Sequence, residues 1–194
     1  MKNPALERVC VLVKPDGVMR GLTGTIVQRF EQRGLKVIAL KMVQPTKEHI
    51  DEHYPKDPAW VKRLGEKSLK TYMEYGMDPK EYVGSDDPEK IGPQIRQWLV
   101  DYMTKAPIVA MAIEGNHAVQ VARKIAGPTL PYAAEVGTIR GDYGHDSPAA
   151  ANSRKQGVQN IVHVSETAEE AAHEIEHWFA PEEITSYKRV EEHT

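Results

Sequence analysis

RVCVLVKP, GLTGTIVQRFEQRG and LKVIALKMV follow one another almost without spacers, and this succession leaves the chain few folds to choose from. The first and third are short apolar runs rich in β-branched residues, the signature of buried strands. Pro15 closes the first. Between them Leu22, Ile26, Val27 and Phe30 share one helical face, and Gly34 supplies a stop. TKEHIDEHY reads as a short helix opened by Thr46. APIVAMAI is a third strand, and NHAVQVARKIAG an amphipathic helix ending at Gly127. QNIVH is a short fourth strand, and TAEEAAHEIEHWF the last long helix. Thr167 and Glu170 there match a capping box. Ala168, Ala171, Ala172, Ile175 and Trp178 or Phe179 are expected to form its buried face, with Pro181 after its end.

This order predicts an α+β fold: a ferredoxin-like, antiparallel four-stranded sheet with helices on one face. At 194 residues the chain reads as one domain, 1–194. Residues 55–95 stand apart as polar and rich in Pro and Gly. Within them Trp60, Leu64, Leu69, Tyr72 and Met73 keep helical spacing. A helical insertion between the second and third strands is expected there. Residues 128–159 hold no long periodic run, and a loop of that length in a compact domain is usually functional.

Bulk composition narrows the function classes. Net charge is -3, so nothing pulls the chain as a whole toward nucleic acid or membranes. No apolar run approaches the roughly 20 residues of a membrane helix. MKNPALERVC lacks a secretory apolar segment. The single cysteine, Cys10, excludes an intrachain disulfide, and a cytoplasmic protein is expected. Eight histidines without a CxxC or a His-rich tract give no metal signal.

Several residues carry possible chemistry. VKPDG puts Lys14 at a strand end, although alone it reads as a surface lysine beside a Pro-Asp-Gly turn. Arg123 lies mid-helix in ARKIAGPTLP, with Thr129 past the stop. GTIRGDY sets Arg140 between glycines, and an arginine fork suits phosphate oxygens. His163 ends the fourth strand. Alone it reads as a satisfied, half-buried ring; as a nucleophile it needs a group that fixes its tautomer. Glu174, eleven residues on in the last helix, can return to the ring if strand and helix pack antiparallel, with Ser165 behind it.

NIVHVSE, VKPDG, GTIRGD, RKIAGPT and HWFAPEE, taken together and in order, resemble the nucleoside diphosphate kinases. The resemblance covers most of the chain outside 55–95 and about 144–156. It implies transfer of the γ-phosphate of ATP or another nucleoside triphosphate to a nucleoside diphosphate. The route would be ping-pong, through a phosphohistidine at His163. It further implies that Glu174 holds the ring, that Ser165 supports Glu174, and that Tyr54 lies beside the histidine. Lys14, Arg123, Thr129 and Arg140 match phosphate-binding positions, and Asn160 a sugar-binding one. Mg2+ would be carried by the nucleotide phosphates, because a short chain offers no dedicated carboxylate cage. Members assemble as homo-oligomers, hexamers or tetramers, and 128–159 is expected at a subunit contact.

The sequence departs from the family at three places. Gln159 replaces an arginine, and Val164 a glycine beside the nucleophile, where it adds bulk. The phenylalanine that stacks on the base falls where 55–95 begins to diverge, and Ile95, Leu99 or Trp60 would take its place. The 55–95 segment is expected to act as a lid over the base. Two competing readings are a non-catalytic nucleotide binder and a ferredoxin-like RNA-binding module. The first would lack the histidine or a cation, and the second would need strand aromatics. Neither condition is met in this sequence.

Overall fold

The computed structural model describes residues 5–190. The first half of the chain runs β1 (Leu6–Val13), α1 (Pro15–Met19), α2 (Thr23–Gln32), β2 (Lys36–Val43) and α3 (Lys47–His53). Next come α4 (Pro58–Glu74), α5 (Pro79–Val83), α6 (Pro88–Thr104) and β3 (Ile108–Asn116). The last part is α7 (Ala118–Ala126), α8 (Ile139–Tyr143), α9 (Pro148–Ser153), β4 (Val162–Val164) and α10 (Ala168–Trp178). The strands form one antiparallel sheet in the order β2-β3-β1-β4, the ferredoxin-like arrangement.

β1 and β3 are apolar at successive positions, so both faces of the sheet need cover. On the first face Val9, Val11 and Val13 meet Ile26 and Phe30 of α2 and Ala118 and Ala122 of α7. These are the two crossover helices expected on one face. The opposite face is covered as well. There Cys10, Leu12, Ala110 and Ala112 meet Ile50 of α3, Val100 and Met103 of α6, and Ile175 and Trp178 of α10. Each large side chain so buried contributes about 1.5–3 kcal/mol. This second layer builds the site described below.

The segment around 55–95 is helical. α4 and α6 pack against each other around a small core of Leu69, Tyr72, Val83 and Ile91. They touch backbone to backbone at Gly65 and Gly92, where a Cβ would run into the carbonyls of Pro88 and Val61. Met73 is 72% exposed and lies outside that core. The 128–159 stretch is not a bare loop. It carries a 3-10 turn, Pro131–Ala133, and the short helices α8 and α9, capped by Thr138 and Ser147.

At the start of α10, Thr167 Oγ1 accepts from Glu170 N at 3.1 Å. The returning Glu170 carboxylate takes the amide of Glu166 instead of that of Thr167, so the capping box is shifted by one residue. Ala168 and Ala172 are exposed. The inward stripe is Ala171, Glu174, Ile175 and Trp178, the i, i+3, i+4, i+7 set, and Ala172 falls off it.

Candidate active site

β4 pairs with β1 so that His163 stands opposite Leu12. Its neighbours Val162 and Val164 enter the first core. Alternation along a strand therefore turns His163 toward the second face, where α3 and α10 lie. There His163 Nε2 is 2.7 Å from Glu174 Oε1. Glu174 is buried, and its Oε2 accepts from Ser165 Oγ at 2.6 Å. Ser165 Oγ in turn accepts from Cys10 N at 3.1 Å, which anchors the group to β1. The three predicted residues thus meet. The His163–Glu174 contact lies off the line of a straight hydrogen bond. Such contacts in a resting site commonly tighten when substrate binds. The other ring nitrogen, Nδ1, has no hydrogen-bond partner among the described residues, so one nitrogen lies against the carboxylate and the other is available.

Lys14 caps the start of α1, a helical turn where the sequence had suggested a simple Pro-Asp-Gly turn. It is only 7% exposed, and its Nζ donates to Asn160 Oδ1 at 2.7 Å. Burial and then the charge of Arg140 lower its ammonium to about 7, against the pull of Asp16 and Glu174. Asn160 Nδ2 donates to the carbonyl of Thr129 at 3.0 Å. Arg140, on α8, donates to the carbonyls of Gly127 and Val162, both at 2.6 Å, and of Asn160 at 3.2 Å. Burial, then Arg123, lower its guanidinium to about 10, which leaves it charged at neutral pH. Arg123 is exposed on α7 and pairs with Glu166 at 3.5 Å. Lys14, Asn160, Thr129 and Arg140 therefore form one bonded cluster, with Arg123 at its edge.

Sequence reasoning missed the strut beneath this cluster. Ile161 has φ 69, a left-handed conformation that a β-branched residue avoids. Val162 N donates to Asn160 O at 2.7 Å across it, which closes a strained three-residue turn. Such a residue costs about 1–3 kcal/mol and persists only when its surroundings hold it. Here Asp16 Oδ2 accepts from Ile161 N at 3.1 Å, and Ile161 O accepts from Lys14 N at 2.8 Å. Asp16 Oδ1 is fixed by Tyr102 Oη at 2.6 Å. Gly17 is needed for the same approach, because a Cβ there would lie 3.1 Å from Ile161 O and 2.9 Å from Val13. The kink sets the path from Asn160 to His163, and the aspartate of VKPDG is the residue that pins it.

The ring that meets His163 is that of His53, edge-on at 5.1 Å between centroids. Tyr54 lies next to His53 at 5.2 Å and stacks on Trp60 at 6.3 Å. Burial, then Glu174, raise the Tyr54 phenol, so it stays protonated. Burial, then His163, push His53 well below the ordinary histidine range. Ile95 and Leu99, one turn apart on α6, are partly buried. Ile95 packs on the small core beside α4, and Leu99 lies beside Gly157. Val164, the departure next to the histidine, is 7% exposed, faces the first core and pairs with Val11, so its bulk points away from the His163 ring.

A family profile described as nucleoside diphosphate kinase matches residues 7–76 and 85–184. Only 77–84, which holds α5, falls between the matched spans. The chain is 48% identical over 179 residues to a nucleoside diphosphate kinase of Pyrobaculum aerophilum, covering 92% of this chain and 98% of that one. It is 38% identical over 182 residues to one from Pyrococcus furiosus, covering 94% and 88%. Its structure is similar to that of an NDP kinase from Pyrobaculum aerophilum, with TM-score 0.90 at 45% identity over 93% of this chain and 100% of that one. It is also similar to a nucleoside-diphosphate kinase from Borrelia burgdorferi with bound vanadate and ADP, described as a transition state mimic. There the TM-score is 0.78 at 30% identity, over 98% and 96% of the two chains. With the sheet order, the held histidine and the cation cluster in place, these likenesses agree: the chain belongs to the nucleoside diphosphate kinase family, the phosphotransferases of that name.

Proposed function

We propose that this kinase works by ping-pong transfer through a phosphohistidine at His163. The observation that carries the proposal is the chain Ser165–Glu174–His163, which sets the Glu174 carboxylate 2.7 Å from Nε2 and leaves Nδ1 available. The Nδ1 lone pair attacks the γ-phosphorus of a nucleoside triphosphate, the bond to the bridging oxygen breaks, and the diphosphate leaves. The ring becomes cationic as its bond to phosphorus forms, and the Glu174 carboxylate faces that charge. A second nucleoside diphosphate then takes the phosphoryl group by the reverse path. Lys14, Arg123 and Arg140 surround the phosphates, Thr129 and Asn160 fix phosphate and sugar, and the protonated Tyr54 phenol is a donor beside His53. Ile95 and Leu99 supply an apolar rest for the base. Mg2+ suits this site as a passenger on the phosphates. Asp16, the carboxylate beside Lys14, already has both oxygens engaged and offers no cage.

The test is labelling with γ-labelled ATP and magnesium, followed by a GDP chase. Acid-labile, alkali-stable label that is discharged as GTP is the expected result. Absence of label in folded, nucleotide-binding protein would hand the chain to the non-catalytic reading.

The α4–α6 pair is proposed as the lid over the base. Arg96 of α6 ties it to the catalytic layer through the carbonyls of Asp51, Pro55 and Tyr54 and the carboxylate of Asp51. Gly92→Val pushes a side chain into the backbone of α4. It is expected to raise nucleotide Michaelis constants severalfold with a smaller change in kcat, and unchanged constants in steady-state kinetics would remove the lid role. Assembly as a hexamer or tetramer is part of the same proposal. It is supported by Tyr132 and Val136, 57% and 89% exposed in the segment expected at a subunit contact.

A further inference from the structure

His53, His163 and Glu174 each turn one ligand atom into a common space, and all these atoms lie within 4.8 Å of one another. Two imidazoles and a carboxylate are a donor set suited to zinc, with the fourth position left open. Their state suits a metal too. Trp178 Nε1 points at His53 Nδ1 from 3.4 Å. An indole N–H only donates, so that nitrogen carries a lone pair and no proton, and an ion there must displace this long hydrogen bond. His163 Nε2 is buried and lacks an aligned hydrogen bond. Among the described residues Ser165 is the one hydrogen-bond donor to Glu174, at Oε2, and Oε1 faces both rings, 2.7 Å from His163 Nε2 and 3.9 Å from His53 Nδ1.

A tetrahedral zinc ion about 2.0–2.1 Å from each ligand needs ligand atoms about 3.3 Å apart. A swing of Oε1 away from His163 and toward His53 brings its two distances to that value, and the imidazole nitrogens, within 4.8 Å of each other, close on the ion by rotation of the rings. The hydrogen bond from Ser165 to the second carboxylate oxygen is the kind of outer contact that orients a ligating carboxylate.

We propose that His53, His163 and Glu174 form an inhibitory site for Zn2+ or a similar borderline divalent ion, distinct from the magnesium carried by the nucleotide. The ion replaces the proton on His163 Nε2, which is released to solvent. It draws electron density from the ring and takes Glu174 away from its orienting role, so Nδ1 becomes a poorer nucleophile. The inhibition, though not the binding, rests on His163 being the phosphorylated residue.

The experiment is equilibrium dialysis of the full chain against Zn2+ in excess Mg2+, with bound metal measured by emission spectroscopy. About one ion per chain is expected, with affinity at least about tenfold weaker in His53→Phe and in Glu174→Gln. X-ray absorption of the zinc-loaded wild type should show two imidazole nitrogens and a carboxylate oxygen, and this decides the matter if a variant does not fold. In parallel, Zn2+ should slow labelling of the wild type, and a zinc-selective chelator should restore it. Failure to bind zinc, equal binding by folded variants, or fewer than two imidazoles would overturn the site. Because dialysis needs no turnover, such a failure leaves the phosphohistidine proposal standing, and a failure of labelling leaves the metal site standing.

Discussion

His163→Ala is expected to carry no acid-labile label and to lose on the order of 10^4–10^6-fold in kcat, the scale seen when an attacking group is removed. Glu174→Gln should keep the label and react about 10^2–10^3-fold more slowly. The amide preserves an oxygen near Nε2, but no negative charge faces the ring as it becomes cationic. Ser165→Ala should cost least, about tenfold, since it only loosens the carboxylate. The ranking is read by rapid-quench labelling in a single turnover, which separates phosphorylation of the enzyme from its discharge. A Glu174→Gln variant as fast as wild type would reduce Glu174 to a packing partner. It would also explain why its contact with His163 is off-line. On the proposed route the effect should fall on both half-reactions, because the same ring attacks phosphorus in one and leaves it in the other.

How much of this was visible beforehand depended on where each partner lies in the chain. β1, β2, β3 and the helices α2, α7 and α10 follow from local apolar pattern and from stops such as Gly34 and Gly127. The family motifs then placed His163, Glu174 and Ser165, and the fold brings those three together. The cover on the second face was not read, because α6 was divided between a supposed insertion and an unassigned run. Its Val100, Tyr102 and Met103 belong to the central core. Ile161 could not be read at all. Propensity places a β-branched residue in extended backbone, and bonds to Asp16 and Lys14, remote in sequence, help hold it at positive φ. Asp16 is hidden too, because Pro-Asp-Gly after a strand reads as an exposed turn. It sits at the first turn of a helix directly after a strand, where an inward-facing acid needs buried donors, and Tyr102 and Ile161 are those donors. His53 escaped for a simpler reason: its partners on α10 and β4 are more than a hundred residues away.

Nucleotide capture is expected to weaken above neutral pH through Lys14. Its ammonium falls from 10.5 to about 7, first through burial and then through Arg140. In the unfolded chain a lysine titrates near 10.4. Between about pH 7 and 10.5 the unfolded state therefore holds the extra proton, and this group alone makes stability rise with pH across that window. Below about pH 7 the lysine is charged in both states, and its burial penalty is fully present. A bound phosphate acts in the opposite sense, because an anion beside Nζ favours the charged form. Binding above pH 7 must then take up a proton. The free enzyme's kcat/KM should fall by up to about tenfold per pH unit there, while kcat, set by the loaded complex, stays flatter. Calorimetric binding of ADP at about pH 8, in buffers of different ionisation heat, should show uptake of about one proton. Lys14→Met should bind more weakly and show no uptake. A wild type that binds without taking up a proton would mean that Nζ is already charged in the free site. The pull of Asp16 and Glu174 would then outweigh burial, and any fall in kcat/KM would belong to another group.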